Sequence, residues 1–538
     1  MKLNFRKKIL KAVDYLQPLD LSYTVPAHYK ILNKINDLTK IIPSKYSQFD
    51  LAYTIRPKAS GYYTSLDKKY LQFVQAQLLL RRLIKSKRLS QKISYSIHLM
   101  MRKEYNRRMV KQSIGDPGDF IIRELKKNYS DLHSSGRYNI LFTNTPSYLR
   151  VLALYVNNSN LDNLLLVIPH SISKLSILES FPKNKLIYFD DFISKNIESE
   201  YIDCLKEMNE VFINNQTMLD EIFTIDNYKF YQFIKAGIEK LITIVIPKSI
   251  MLYQTINELN DQIKIKSFIG GRVRKIFDRS FYKFAINNNI PAYVLLHADI
   301  GSDIKEIDDM GHFEDISGVF VWGKSQEKII RRDKFSNVKN IFVVGSPLFD
   351  INSKLSKRSN SDNSNPKILY ACGKNDHIEI NSLIECLNSL FDKFNLLLKV
   401  HPGQKDSEYD NFNNIDNIEV IGAKKILEDL INQCDIFITT TSSSIFQAIA
   451  RDKPIIMINY DDLWTDMFTS YFEFNKSELR QFVTSSTIEL KAIIDRLLSN
   501  KHYTCEHIKN QKRYLKRKIK LYNEINGASH AIDKILSS

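Results

Sequence analysis

From Gly136 onward the chain alternates short apolar runs with longer amphipathic stretches. The first series of runs is "YNILFTN", "NLLLVIPHS", "KLIYFDD", "EVFINN", "LITIVIP", "KIKSFIGG", "PAYVLLHAD", "GVFVWG" and "NIFVVGSP". Continuous apolar runs separated by helical patterns are typical of buried parallel strands joined by crossover helices. The pattern therefore predicts a doubly wound α/β domain over residues 136–353.

A polar segment separates this series from a second one. Residues 354–366, "KLSKRSNSDNSNP", have few apolar side chains, a composition typical of linkers. The runs "KILYACG", "NLLLKVHPG", "NIEVIG", "DIFITT" and "KPIIMINY" follow and predict a second α/β domain over 367–538, ending in helices that break near Gly527. Two such units create a cleft where the carboxyl ends of both sheets face each other, and we expect the ligand there.

Charge distinguishes the first quarter of the chain from the rest. Residues 1–130 contain 27 Lys and Arg against 9 Asp and Glu, whereas the remainder contains 50 against 51. Within the basic region 1–135, residues 78–111 combine this charge with Leu, Ile and Met at helical spacing, which predicts a mostly helical region. Such a helix can bind an anionic membrane surface. A solvated helix face and a nucleic-acid patch are the alternatives, and we consider nucleic acid the weaker partner.

Composition narrows the class of protein further. The 538 residues are 43% hydrophobic, enough for sizeable cores, and the five cysteines form no C-x-x-C pair. No clustered Cys and His motif appears, so we expect neither a metal site nor a cofactor. Lys11 and Asp14 interrupt any N-terminal secretory segment, and no apolar run is long enough to span a bilayer. These features favour a cytoplasmic protein.

The stretch "DIFITTTSSSIFQAIARDKPII", residues 435–456, places six hydroxyl residues between an apolar run and a helical pattern. A strand ending at Ile438 and a helix starting near Ser444 would crowd Thr441, Ser442, Ser443 and Ser444 around the helix N-terminus, where backbone N–H groups lack partners. That arrangement can bind a phosphate. The alternative is that Ser443 or Ser444 only caps the helix.

A second group of polar residues follows the run "NLLLKVHPGQ". Lys399 and His401 are two residues apart near the end of a predicted strand, so they point to the same side. Lys399 could hold a phosphate as a point charge, and His401 could donate a hydrogen bond to a diphosphate or ribose oxygen. His401 could instead only close the turn. Gly373 in "YACGKND" gives a weaker signal for a turn that approaches a ligand closely.

In the first domain, His297 follows the run "YVLL", where a loop at the carboxyl end of the sheet would begin. A histidine there can act as general base toward an acceptor hydroxyl, and Asp299 could orient it. The alternatives are that His297 is a hydrogen-bonded loop residue and that Asp299 is an unrelated neighbour. His170 is a weaker candidate of the same kind.

The ordered set "LLHADIGSD", "GVFVWGKSQEKII", "NIFVVGSPLFD", "KILYACG", "LLLKVHPG" and "TTSSSIFQAIARDKPIIMINY" resembles the bacterial CDP-glycerol glycerophosphotransferases and related GT-B transferases of surface-polysaccharide assembly. The resemblance runs from about Gly136 to the end. It implies a GT-B fold, a nucleotide-activated donor (CDP-, CMP- or UDP-linked) held by the second domain, and no required metal. It also implies that His297 is the catalytic base, with Lys399, His401 and Ser442 to Ser444 at the donor phosphates.

The chain departs from this family at two positions. Ala298 stands where relatives usually have Gly, and Gln447 stands where many carry a carboxylate. Gln447 can hydrogen-bond a donor ribose or sugar but cannot act as a base.

The sequence thus predicts transfer of a glycerophosphate or sugar to a lipid-linked or surface glycan at the inner face of the membrane. A glycosyltransferase that uses a CMP-sugar and a non-catalytic scaffold that binds nucleotide or polyanion are the alternatives.

Overall fold

Two parallel β-sheets form the centre of the chain in the computed structural model. The structure describes residues 37–49, 136–143, 146–167, 181–225, 228–229, 231–271, 276–296, 316–332, 338–350, 365–373, 380–387, 393–401, 404–422, 425–440, 442–459, 468–469 and 472–538, with a few isolated positions. Most of the basic region 1–135 and of the linker 354–366 therefore lies outside the described residues.

The first half of the chain supplies the strands β1 (Tyr138–Phe142), β2 (Asn163–Val167), β3 (Leu186–Tyr188), β4 (Thr224–Ile225), β5 (Tyr228–Lys229), β6 (Ile265–Gly270), β7 (Ala292–Leu295), β8 (Gly318–Val321) and β9 (Ile341–Val343). Seven of them form one parallel sheet in the order β3-β2-β1-β6-β7-β8-β9, and β4 pairs with β5 in a small hairpin. The order is doubly wound, so the direction of winding reverses between β1 and β6.

The helices of this half are α1 (Pro146–Asn158), α2 (Lys195–Asn214), α3 (Gln216–Ile222), α4 (Tyr231–Lys240), α5 (Ile246–Gln262), α6 (Ile276–Asn287) and α7 (Lys324–Arg332). α6 covers the sheet with aromatic side chains. The rings of Phe142 and Phe281 stack with centroids 4.3 Å apart, and Phe268 meets Phe281 edge to face at 5.4 Å. These rings hold α6 against β1 and β6, on either side of the reversal.

Two of the predicted strands are helical. The run "EVFINN" is the last part of α2, whose buried residues Ile197, Cys204, Met208 and Phe212 recur at helical spacing. The run "LITIVIP" forms a single π-helical turn, Leu241–Val245, that continues into α5. A short apolar run fits a buried strand and a buried helix equally well, because periodicity cannot separate them over so few residues. The long helical patterns around these two runs decide the outcome.

The second sheet contains β10 (Lys367–Ala371), β11 (Asn395–Lys399), β12 (Ile418–Ile421), β13 (Ile436–Thr439), β14 (Ile455–Ile458) and β15 (Val483–Thr484). Its order is β12-β11-β10-β13-β14-β15, again parallel and doubly wound, with the reversal between β10 and β13. The two sheets confirm the predicted fold class of two Rossmann-like α/β units.

The helices of the second half are α8 (Ile380–Leu387), α9 (Leu427–Gln433), α10 (Ser444–Ala450), α11 (Lys476–Phe482), α12 (Thr487–Ser499), α13 (Lys501–Lys518) and α14 (Gly527–Ser537). The break predicted near Gly527 is confirmed, since α14 begins there. No helix of the described ranges is both long and apolar enough to cross a bilayer.

The last helix returns to the first sheet and joins the two units. Asp350 caps α14 by accepting hydrogen bonds from the backbone N–H groups of Ala528 (2.8 Å) and Ser529 (3.2 Å). Further along α14, Asp533 accepts from the hydroxyl of Tyr155 at 2.7 Å and from Ser159 on the loop after α1. Buried carboxylates need such donors, and here the donors come from the other unit.

Candidate functional site

Three strands of the second sheet bring most of the predicted donor-site residues together. In the strand register Ala371 of β10 lies beside Lys399 of β11 on one side and beside Thr439 of β13 on the other. Thr439 donates its hydroxyl to the Ala371 carbonyl at 2.8 Å, which fixes this edge. The segments that follow, with Gly373, His401 and the serine loop, therefore leave the sheet side by side at the reversal point, where open α/β sheets bind ligands.

Lys399 ends β11 with only 4% of its surface exposed. Its Nζ donates to the carbonyl oxygen of the next residue, Val400, at 2.7 Å. Burial lowers the pKa of Lys399, while the nearby Cys372 and Asp406 act in the opposite direction. A buried ammonium at the carboxyl edge of the sheet is suited to holding an anion.

His401 begins the turn after β11 and is half-buried. Its carbonyl oxygen accepts a hydrogen bond from the backbone N–H of Gln404 at 2.9 Å, so the residue does close the turn. The Gln404 side chain in turn accepts from the Tyr409 hydroxyl at 2.8 Å. These two hydrogen bonds fix the turn, which keeps His401 close to Lys399.

The serine loop connects β13 to α10, in line with the predicted strand, loop and helix. The Oγ atoms of Ser442 and Ser444 lie 2.7 Å apart, and Ser442 Oγ also accepts from the Ser444 backbone N–H at 3.3 Å. Ser443 occupies the N-cap position without a side-chain cap. The hydroxyl that caps the helix is therefore that of Ser442 and not that of Ser443 or Ser444. Thr441 lies outside the described residues.

The backbone N–H groups of the first turn are also engaged. Ile445 donates to the carbonyl oxygen of Ser442 at 3.3 Å, and Phe446 donates to that of Ser443 at 3.2 Å. A phosphate at this loop would therefore meet serine hydroxyls before it meets unsatisfied amides. This detail corrects the expectation of a row of unpaired backbone donors.

Gln447 lies one turn further along α10. Its side-chain carbonyl oxygen is buried and has no hydrogen-bond partner among the described residues. A buried amide oxygen without a donor is costly, so a ligand hydroxyl or amino group would stabilise it.

A cavity of about 370 Å³ adjoins β11 and β12 and was missed by the sequence analysis. Its polar lining includes Asp406, Glu419 and Lys425, and Asp406 also acts electrostatically on Lys399. A Cβ atom on Gly422 would lie 2.8 Å from Asp406 Oδ2, so a glycine at this position leaves room for the Asp406 carboxylate. The signal in the sequence that could have indicated this cavity is Gly422, which directly follows an apolar strand.

An ion pair crosses between the two units near the same edge. Arg150, in the second turn of α1, pairs with Glu428 at the start of α9. Burial and the charge of Arg451 lower the pKa of Arg150 to about 10, whereas Asp429 acts in the opposite direction. Both helices follow strands of their sheets directly, so the pair places the two carboxyl edges opposite each other, as the predicted cleft requires.

The predicted catalytic residues His297 and Asp299 lie outside the described residues, as do Ala298 and His170. The strand that leads to His297 is confirmed as β7, and Leu296 follows it in a buried position. The carbonyl oxygen of Leu296 accepts a hydrogen bond from Trp322 Nε1 at 3.0 Å. The chain thus reaches His297 from the carboxyl edge of the first sheet.

Residues 338–520, about a third of the chain, match the family described as CDP-Glycerol:Poly(glycerophosphate) glycerophosphotransferase. The predicted resemblance is thereby confirmed over these residues, which include Gly373, Lys399, His401 and the serine loop. The segment around His297 precedes the match. No curated protein matches the chain.

Solved structures resemble the chain more distantly. A variant of the wall teichoic acid polymerase TagF is 12% identical with a TM-score of 0.42, over 76% of this chain and 90% of TagF. Arabidopsis thaliana UGT89C1 complexed with UDP is 11% identical with a TM-score of 0.45, over 74% and 98% of the two chains. The UDP-GlcNAc 2-epimerase of Methanocaldococcus jannaschii is 12% identical with a TM-score of 0.42, over 75% and 99%.

Proposed function

We propose that the chain is a transferase that moves a glycerophosphate or sugar from a nucleotide-activated donor to a membrane-associated surface glycan. CDP-glycerol is the first donor to consider, because the matched family acts with it. The site of action would be the cytoplasmic face of the membrane, which a soluble nucleotide-activated donor can reach from the cytoplasm.

The observation that carries the proposal is the register of β10, β11 and β13. It places Lys399 at the same edge as the serine loop, at the point where the sheet reverses. A buried cation, three serine hydroxyls and an imidazole at one sheet edge suit a diphosphate, since each supplies either charge or a hydrogen-bond donor.

The donor would bind in the second unit. Lys399 and His401 would contact the diphosphate from the end of β11 and the turn after it. Ser442, Ser443 and Ser444 would contact it from the loop that enters α10, with Thr441 and Gly373 at the rim. The buried oxygen of Gln447 would accept a hydrogen bond from a hydroxyl of the donor, which fits the amide that replaces a carboxylate at this position.

The acceptor would approach from the first unit. His297, oriented by Asp299, would remove the proton from the acceptor hydroxyl, whose oxygen then attacks the glycerol-bearing phosphorus of CDP-glycerol. A new phosphodiester bond forms, the phosphoanhydride bond breaks, and CMP leaves with the electron pair. Lys399 would stabilise the negative charge that grows on the CMP phosphate.

Calorimetric titration of the full chain with CDP-glycerol, a CMP-sugar and UDP-sugars tests the donor site. The Lys399→Ala variant should lose about 1.5–3 kcal/mol of affinity for the true donor, the contribution of a hydrogen bond to a charged group. Lys405→Ala removes an exposed lysine of the same loop and is the matched control.

The paired variant Ser443→Ala, Ser444→Ala should also weaken donor binding. If it and Lys399→Ala bind the donor like the unaltered chain, the site is misplaced. If only a CMP-sugar binds, the chain is a glycosyltransferase of that type. Donor binding without turnover on any glycan acceptor would indicate the non-catalytic scaffold.

A further inference from the structure

The exposed side of α13 carries a row of positive charges. Residues 501–520 contain eight Lys and Arg residues and one acidic residue, Glu506. Lys518 is buried with its Nζ 3.4 Å from Glu473, and Arg517 is bound to Glu478 at 2.7 Å. The other six are exposed, five of them on α13 and one two residues beyond its end, and together they are called the basic face of α13: Lys501, Lys509, Lys512, Arg513, Lys516 and Lys520.

Neighbouring carboxylates neutralise this face only weakly. Glu506 lies 3.8 Å from Lys509, and Asp452 lies 2.6 Å from Lys512, in pairs whose members are each about half exposed. Solvent and salt screen such exposed pairs strongly, so the pairs are weak and the lysines can exchange their partners for another anion. The basic face therefore presents a net positive charge to its surroundings.

Exposed apolar side chains follow directly after the helix. In the segment that joins α13 to α14, Leu521 is 38% and Ile525 is 52% exposed. Lys520 Nζ lies 5.1 Å from the centre of the Tyr522 ring in the same segment. Basic residues beside exposed apolar side chains are typical of surfaces that bind the interface of an anionic bilayer. A soluble polyanion would engage the charges but not the apolar side chains.

The segment also lies at the edge of the cleft. The backbone N–H of Lys520 donates to the carbonyl oxygen of Trp322 at 2.8 Å, and its Nζ donates to that of Val343 at 3.2 Å. Trp322 follows β8 and Val343 ends β9, so both mark the carboxyl edge of the first sheet. A membrane bound here would lie next to the edge from which His297 is reached.

We propose that the basic face of α13, together with Leu521 and Ile525, docks the protein on an anionic lipid bilayer. This surface is separate from the basic region 1–135, for which a membrane role was predicted from sequence. The proposed function enters only in explaining why the surface would bind a bilayer, which is to bring a lipid-linked acceptor to the cleft.

Cys505 provides a local reporter of this contact. It is exposed on the same side of α13, whereas Cys204, Cys372 and Cys434 are buried. The full chain carrying an environment-sensitive fluorophore at Cys505 should show a blue-shifted emission with vesicles that contain phosphatidylglycerol. It should show no shift with pure phosphatidylcholine, and high salt should reverse the shift. Cys505→Ser gives the background from labelling elsewhere.

Two variants test the parts of the surface. The triple change Lys509→Gln, Arg513→Gln, Lys516→Gln should reduce the vesicle affinity reported at Cys505 by at least about tenfold, since each basic residue near an anionic surface adds several-fold. The pair Leu521→Ser, Ile525→Ser should make the remaining binding easier to release with salt. The matched control, Lys183→Gln, Lys264→Gln, Lys266→Gln, removes exposed charges before β3 and around the start of β6 and should bind normally.

Three results would overturn the proposal. They are vesicle sedimentation without a shift at Cys505, unchanged binding of the triple variant, and a shift produced by a soluble polyanion such as RNA but not by anionic vesicles. The donor site is tested separately, because CDP-glycerol affinity should be the same in the triple variant. Lost donor binding with an intact vesicle response would count against the proposed function and not against this surface.

Discussion

The two parallel sheets share one doubly wound order, with a seventh strand at the edge of the first, but carry different residues at the point where that order reverses. In the second sheet Ala371 of β10 lies between Lys399 of β11 and Thr439 of β13, which leads into the serine loop. In the first sheet β6 ends at Gly270, and a Cβ on the next residue, Gly271, would lie only 2.0 Å from the Tyr148 ring of α1. Among the described residues, this point therefore carries polar side chains in the second unit and a close approach of a glycine to a tyrosine ring in the first. Topology supplies a crevice, and the loop residues decide what can bind in it.

The largest expected effect tests whether the chemistry is divided between the two units. A positioned general base contributes about 10²–10⁴-fold in rate, so His297→Ala should lose that much turnover while donor affinity is retained. Single-turnover kinetics and donor titration measure the two quantities. Near-normal turnover would remove His297 from the mechanism.

The next effect concerns the connection between the units. Asp533→Ala would leave the Tyr155 and Ser159 hydroxyls and the Asn160 N–H without their shared acceptor. We expect a loss of about 3 kcal/mol in the free energy of unfolding, because each orphaned buried donor costs about 1–3 kcal/mol and the groups relax together. Urea denaturation followed by circular dichroism measures it.

The control for that change is Asp495→Ala, which breaks an exposed ion pair with Lys393. It should cost less than about 1 kcal/mol. Equal losses in the two variants would mean that the last helix contributes no more than an ordinary surface contact.

A smaller effect is expected at the ion pair across the cleft. Arg150→Gln leaves Glu428 with a shielded charge and no cation from the first unit. Because Arg150 is partly exposed, we expect about 1–2 kcal/mol, below the value for fully buried pairs. The partner change Glu428→Gln in the same chain should recover part of the loss. If the loss of unfolding free energy in the double variant equals the sum of the losses in the two single variants, the two residues do not interact.

The smallest expected effect is a dependence of stability on pH that comes from one buried histidine of the second unit. His507 on α13 is fully buried, with Nε2 2.9 Å from the Ile455 carbonyl oxygen, and burial lowers its pKa. Below the unfolded value of about 6.5 the unfolded chain takes up a proton that the folded chain resists, so stability falls as the pH falls.

The slope from one such group is at most about 1.4 kcal/mol per pH unit. Urea midpoints at pH 7.5 and 5.5 should differ less in His507→Gln than in the unaltered chain, whereas exposed His502→Gln should change nothing. An unchanged pH dependence in His507→Gln would exclude this histidine as the source.

Much of the fold follows from the sequence alone. Apolar runs of four to six residues bounded by turn residues identify both sheets, and the hydroxyl run from Thr439 to Ser444 marks the end of β13 and the start of α10. These features depend on local composition, so they can be read from a short window of residues. The runs at Glu210 and Leu241 fail for the same reason, since a short window cannot separate a buried helix from a buried strand.

Only the tertiary structure decided how these pieces form a site. The register that sets Ala371 between Lys399 and Thr439 joins residues about 30 to 70 positions apart, and no local pattern encodes it. The bonds that engage the amides of Ile445 and Phe446 depend on the exact course of the serine loop. The contacts of Arg150 with Glu428 and of Asp533 with Tyr155 arise because two units pack together. Sequence determines which segments can be strands, helices and polar loops, but long-range packing determines which polar side chains meet.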